Sequence, residues 1–403
     1  MFTENEIDDL IQPIILRQDY INSLVLNTIA DHIGDIGKLT PSDIKRLQIL
    51  AQLGASVKQL TAELAKLSSL QVVDIKKMIR TVAEDAYTDA KYLYDYRYKP
   101  FKSFEKNTPM QKLVTAIGNA TAKTYINISN SKAIGFLIGD KFTHRNLKFR
   151  PLEKTYYQII DEAIQASQNG LIDYRTSMRQ ALKQLSDSGV RRLSYDSGYT
   201  QRLDTAVRRN VVDGIHAIQQ AMEDEIGKQI GADAKELSVH ENSALDHEPI
   251  QGHVFTNEEY DKLQNNEDFT DINGNTFNGL DRVIGQWNCR HFAYSFVIGV
   301  SKPRYTQAQL DRYIKRNHEG YVLPNGKHIT MYECTQMQRQ METRIRYAKE
   351  EQMMWKEAND IEQAKKVRHK IEQYLQEYKI FSKNCGLAVS TDRLKVSGYI
   401  AKI

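Results

Sequence analysis

The sequence predicts a mainly α-helical chain that carries one small α+β module. Three observations predict it. Apolar residues recur at spacings of three and four along most of the chain, and only 8 prolines and 21 glycines interrupt its 403 residues. Between Glu236 and Val300 the texture changes to His, Asn, Gly and Asp with short β-like runs. From Thr330 to about Tyr378 a highly charged, Met-rich stretch reads as a helical hairpin. The expected organisation is an N-terminal helical region at 1–140, a central helical region at 150–235, a His/Cys α+β module at 236–302, and a C-terminal helical hairpin with short strands at 303–403.

The elements follow in order. Over Glu4 to Ile33 one helix face carries Ile7, Leu10, Ile14, Ile15, Ile21, Leu24 and Ile29, with a kink expected at Pro13. Thr40-Pro41 is a helix start, and helices are expected over about 41–53, 56–66 and 70–95. Tyr94, Tyr96 and Tyr98 fit aromatic packing first and base stacking second. Thr108 to about Ile134 is helical; the basic residues Lys141, His144, Arg145, Lys148 and Arg150 then read as a solvated loop, with phosphate or a protein partner as the other reading. Three helical stripes follow up to Gly231: Tyr156 to Ile164, Met178 to Leu185, and Leu203 to Ile230, with a loop at Tyr195 to Tyr199. In the module, Leu237-Ser238-Val239 and Val254-Phe255 are β-like and Asn273-Gly274 is a tight turn. Thr306 with Gln309 and Thr330 with Glu333 are capping boxes, Tyr321 to Thr330 is a hairpin turning at Asn325-Gly326, and Asp360 with Gln363 restarts the helix. The tail, Leu387 to Ile403, alternates like a strand at Leu394, Val396, Tyr399 and Ile400.

Composition narrows the function classes. A net charge of +4, from 55 basic and 51 acidic residues, is too weak to argue for nucleic-acid binding by itself. The 3 cysteines, Cys289, Cys334 and Cys385, are odd in number and far apart, which speaks against a disulfide framework and for folding in a reducing cytosol. The N-terminus does not read as a signal peptide, and no apolar run is long enough for a membrane segment.

The informative constellation lies in the module. His240, His247, His253 and His291 fall there with Cys289. Neutral imidazole and thiolate are preferred ligands of tetrahedral zinc, so His247, His253, Cys289 and His291 are the candidate set for a structural zinc, with His240 in reserve. The other reading is a hydrogen-bonded polar core that includes Asp246 and Asn288. In the C-terminal hairpin, Met337, Met341, Met353 and Met354 form either adaptable core or a partner-facing seam, and Met337 and Met341 are the partner-contact candidates.

The same residues carry a resemblance. His247-Glu248-Pro249-Ile250-Gln251-Gly252-His253-Val254-Phe255, followed by Gly285-Gln286-Trp287-Asn288-Cys289-Arg290-His291, resembles the phage minor capsid protein 2 family, which is similar to the Mu F-like minor head proteins. The likeness extends over about 150–320. The chain departs from the pattern by lacking an arginine just before His247 and by carrying His291 where a Cys is usual; the latter swap keeps a zinc-compatible ligand. The resemblance implies a virion component in few copies, bound to the portal protein in the capsid interior near the portal vertex, with the major capsid protein and packaged DNA as further neighbours, and a role in head assembly, packaging or DNA ejection. No catalytic residue is assigned. The alternative is a metal-dependent nuclease or hydrolase on the His/Cys module, with His247 and Asp246 as base; no Walker, Gly-x-Ser-x-Gly or His-Glu-x-x-His motif accompanies them.

Overall fold

The protein is described from a computed structural model that covers residues 4–36, 66–67, 69–88, 91, 100–130, 134–140, 145–151, 176, 179–180, 182–183, 192–194, 200–271, 274–285, 289 and 291–401. Thr40, the helices expected at 41–53 and over most of 56–66, the three tyrosines at 94, 96 and 98, Lys141, His144, the stripe from Tyr156 to Ile164, the loop at Tyr195 to Tyr199, Asn273, Trp287, Asn288 and Arg290 lie outside the described residues. The described chain is mainly α-helical with a small α+β module.

Helix α1 (Glu4–Ile36) runs continuously through Pro13. Its face of Ile7, Ile11, Ile14 and Ile15 is buried with α2 (69–88), whose own buried positions 75, 78, 79, 82, 83 and 87 repeat every three or four residues. Helix α3 (Thr108–Asn130) and helix α4 (Leu203–Ile230) complete this core. Helix α4 is the axis of the fold: Val207, Val211, Ile215, Ile218, Met222, Ile226 and Ile230 are all buried, and it packs on α1, α3 and the module's sheet. Gly214 permits the close approach of α3, because a Cβ there would lie 2.6 Å from the Thr121 side chain.

Between α3 and α4 the structure corrects the expectation of a basic loop. Strands β1 (Ile134–Asp140) and β2 (Arg145–Pro151) form a hairpin, so Arg145, Lys148 and Arg150 sit on a strand. Strands β3 (Arg192–Ser194) and β4 (Thr200–Arg202) extend it to an antiparallel sheet of order β2-β1-β3-β4. Strands β3 and β4, at three residues each, are too short to show period-two patterning, and Gly135 and Gly139 break the pattern in β1.

The module's sheet has order β6-β5-β9, from β5 (Ala234–Leu237), β6 (Val254–Thr256) and β9 (Ala293–Phe296), all antiparallel. Helix α5 (Asn257–Gln264) starts at a capping box of Thr256 and Glu259, a helix the β-turn texture concealed. The small hairpin β7 (Phe269–Thr270) and β8 (Thr276–Phe277) turns at Gly274, whose φ is +85°. Phe255, Phe269 and Phe277 stack together in a core with Leu237, Leu263 and Leu280.

Helix α6 (Gln307–Glu319) begins where the Thr306 N–H donates to the Gln309 side chain at 2.8 Å. Strands β10 (Tyr321–Val322) and β11 (His328–Ile329) form the hairpin expected around Asn325-Gly326. Helices α7 (Met331–Glu357) and α8 (Ile361–Asn384) form the expected helical hairpin, capped by Thr330 and by Asp360. The tail is not a strand. A short 3-10 turn at Asp392–Leu394 and turns beyond it lay the chain as a strap over α7 and α1, held by Lys349 Nζ on the Leu394 carbonyl at 2.6 Å, Tyr399 Oη on Gln352 at 2.7 Å and Gln12 Nε2 on the Asp392 carbonyl at 3.1 Å. Leu394 and Val396 are buried, but no neighbouring strand offers their backbone a ladder among the described residues.

Candidate functional site

Two segments meet beside β5. The turns at 241–252 connect β5 to β6 and carry His247; the approach to β9 carries Cys289 and His291. Because β9 runs antiparallel to β5, with Leu237 opposite Ala293, the loop leaving β5 and the chain entering β9 emerge at the same end of the sheet. That is why residues some forty positions apart come together. One ligand atom from each of His247, Cys289 and His291 lies within 4.8 Å of the other two. All three side chains are buried, at 0%, 2% and 5% exposure.

The hydrogen bonds fix both imidazole tautomers. His247 Nε2 lies 2.6 Å from the Arg282 carbonyl, an acceptor only, so Nε2 carries the proton and Nδ1 is bare. His291 Nε2 lies 3.3 Å from Gln251 Oε1. The same Oε1 accepts the His240 backbone N–H at 3.0 Å, so that atom is the amide oxygen and His291 Nε2 must donate to it. Both bare Nδ1 atoms then face one sulfur, at 3.4 Å from His247 and 3.7 Å from His291. Burial lowers the pKa of His247 and, further, of His291, which keeps both rings neutral, and burial raises that of the Cys289 thiol in the absence of a metal.

Not every residue singled out in the sequence joins the group. His253 is outside it: its ring packs edge-on against Phe277 at 5.2 Å and lies tilted beside Phe255. His240 stands next to the group instead, its ring 4.6 Å from that of His291 and nearly perpendicular to it. Asp246 is held by Arg282 through two bonds, at 2.8 and 2.9 Å, and reaches His247 Nε2 only at 3.8 Å. With Nε2 committed to the Arg282 carbonyl and the ring fully buried, His247 has no proton-accepting atom turned toward solvent, which is a poor geometry for the base of a nuclease. Gln251 and Arg282 are the residues that sequence reasoning missed. Gln251 lies inside the family-like string, but nothing about a glutamine in sequence announces that it orients two histidines.

The group borders a cleft of about 980 Å³ between α1, α4, the module, α7 and the tail. Its wall includes Arg208, Arg282, Arg339 and Arg393. Much of that charge is answered internally: Asp8 pairs with both Arg208 and Arg393, and Asp246 with Arg282. Met337 and Met341 are half-buried and pack into the hairpin's own clusters beside Ile329, Met331, Cys334 and Phe381.

The description "Phage minor capsid protein 2" matches residues 3–382, nearly the whole chain, and the chain belongs to that family. It is a bacteriophage minor capsid protein. No curated protein and no solved structure matches it. Among the described residues no helix is long and apolar enough to cross a membrane.

Proposed function

We propose that this minor capsid protein sits with the portal inside the capsid, near the portal vertex, and acts in head assembly and in packaging and delivery of the genome. The observation that carries the proposal is family membership over residues 3–382. Two features of the chain support it. Long helices present ridges that suit docking into partner grooves. The cleft arginines are largely paired with acids of the same chain, which favours packaged DNA as a neighbour rather than a ligand. The portal protein is the principal partner and the major capsid protein a secondary one.

The partner surface is assigned to the helical regions, with Met337 and Met341, each half-buried, as the adaptable contacts. Deleting the N-terminal helices is a poor test, since Ile7, Ile11, Ile14 and Ile15 belong to the main core. The chain is better co-expressed with the portal protein of the same phage and captured through it. Replacing Met337 and Met341 together by Lys, whose stem preserves most of the packing, is expected to lower capture about tenfold or more with circular dichroism unchanged. Capture that survives this change, and is lost instead on substitution of exposed residues at 240–291, would overturn the assignment.

A further inference from the structure

We infer that His247 Nδ1, Cys289 Sγ and His291 Nδ1 are three ligands of a structural zinc ion, and that His240 supplies the fourth. Ligands of tetrahedral zinc at ordinary Zn–S and Zn–N bond lengths stand about 3.5 Å apart across each S···N edge. The two S···N distances here, 3.4 and 3.7 Å, bracket that edge. The agreement extends to the direction of the lone pairs. The Arg282 carbonyl and the Gln251 amide each take the Nε2 proton, the arrangement by which second-layer acceptors orient metal-bound histidines and leave the other nitrogen free to coordinate.

A metal-free polar core accounts for less. A thiol has one proton and can donate to one of the two bare Nδ1 atoms, leaving the other as a buried acceptor facing a sulfur. A thiolate with imidazoles selects zinc over calcium or magnesium, which take oxygen ligands. His240 is placed to close the site because its backbone N–H is fixed by the same Gln251 oxygen that orients His291, and its ring already lies against the His291 ring. The fourth position requires the His240 side chain to rotate from its place against the His291 ring. His253, committed to the phenylalanine cluster, takes no part. Four protein ligands make the site closed, and its effect is to pin the loop leaving β5 to the chain entering β9. This inference stands apart from the head-protein reading: a metal-free chain found in virions sinks the former only, and a zinc-loaded chain absent from them sinks the latter only.

The test uses the full chain, purified without a polyhistidine tag or chelator. Its zinc content is measured by elemental mass spectrometry, and the chelator-stripped protein is titrated with Co²⁺. One equivalent of zinc is expected, together with a thiolate-to-cobalt charge-transfer band and the intense visible bands of tetrahedral Co²⁺, both saturating at one equivalent. Cys289→Ser should remove the charge-transfer band. His247→Ala, His291→Ala and His240→Ala should each weaken Co²⁺ binding about tenfold or more, while His253→Ala leaves it unchanged. Absence of both zinc and the cobalt bands in folded wild-type protein overturns the site, whatever the variants do. Loss of binding in His253→Ala with retention in His240→Ala overturns the choice of fourth ligand.

Discussion

Gln251 accepts two hydrogen bonds through one oxygen, from the His240 backbone and from the His291 ring, and it is buried. Gln251→Leu orphans both donors at about 1–3 kcal/mol each, so urea unfolding should show a loss of at least about 2 kcal/mol; a loss under about 0.5 kcal/mol would mean that the amide orients nothing. Glu342 gives a pH-dependent outcome. Its carboxyl is buried, accepts from Tyr378 Oη at 3.1 Å, and faces Arg339, Arg346, Arg208 and Asp8. Burial prevails over the hydrogen bond and the arginines, and the pKa rises from 4.5 to about 7. The folded state therefore holds a proton that the unfolded chain has released. Stability is intact below about pH 4.5, falls as pH climbs to about 7, and is lower by about 3 kcal/mol beyond that. Glu342→Gln should flatten this part of the pH profile of thermal unfolding and raise stability at pH 8; an unchanged slope would show that Glu342 is ionised in the fold. At this scale the sequence made the His/Cys cluster legible because ligating residue types are few. It left His253 and His240 undistinguished, because the choice depends on which ring is captured by Phe277.

Elements whose cause is local were legible. The capping boxes at Thr306 and Thr330, the cap at Asp360 and the turn at Gly326 stand where the residues put them, since each is decided within four positions of chain. Helix α4 was legible from Leu203 to Ile230 by its spacing. The sheet of β1 to β4 was not, because β1 and β3 pair across more than fifty residues and β3 and β4 have three residues each. The tail shows the opposite failure: alternation was present, but what holds it is side chains of α7 and α1 reaching its carbonyls. The α3–α4 contact offers a measurable consequence. Gly214→Ala drives a methyl to within 2.6 Å of Thr121 and should destabilise by about 1–3 kcal/mol. Thr121→Ala removes the two nearest atoms and should recover at least half of that in a double-mutant cycle; additive losses would mean that the helices shift apart freely.

At the scale of the whole molecule, both ends of the described chain close on the middle. Asp8 of α1 binds Arg208 of α4 and Arg393 of the tail, and α1 itself lies against α4 and α7. Asp8→Ala should cost about 2 kcal/mol and speed amide exchange across residues 392–401; tail exchange unaltered by the change would mean that the strap is held by α7 alone. The central claim, that this minor capsid protein works at the portal, is tested most directly by a localised cryo-electron microscopy reconstruction of the portal vertex in virions of the phage that encodes it. The account predicts density for the helical body against the inner portal surface, in few copies per particle. Density spread over the capsid lattice in shell-like numbers, or virions that lack the protein, would contradict it.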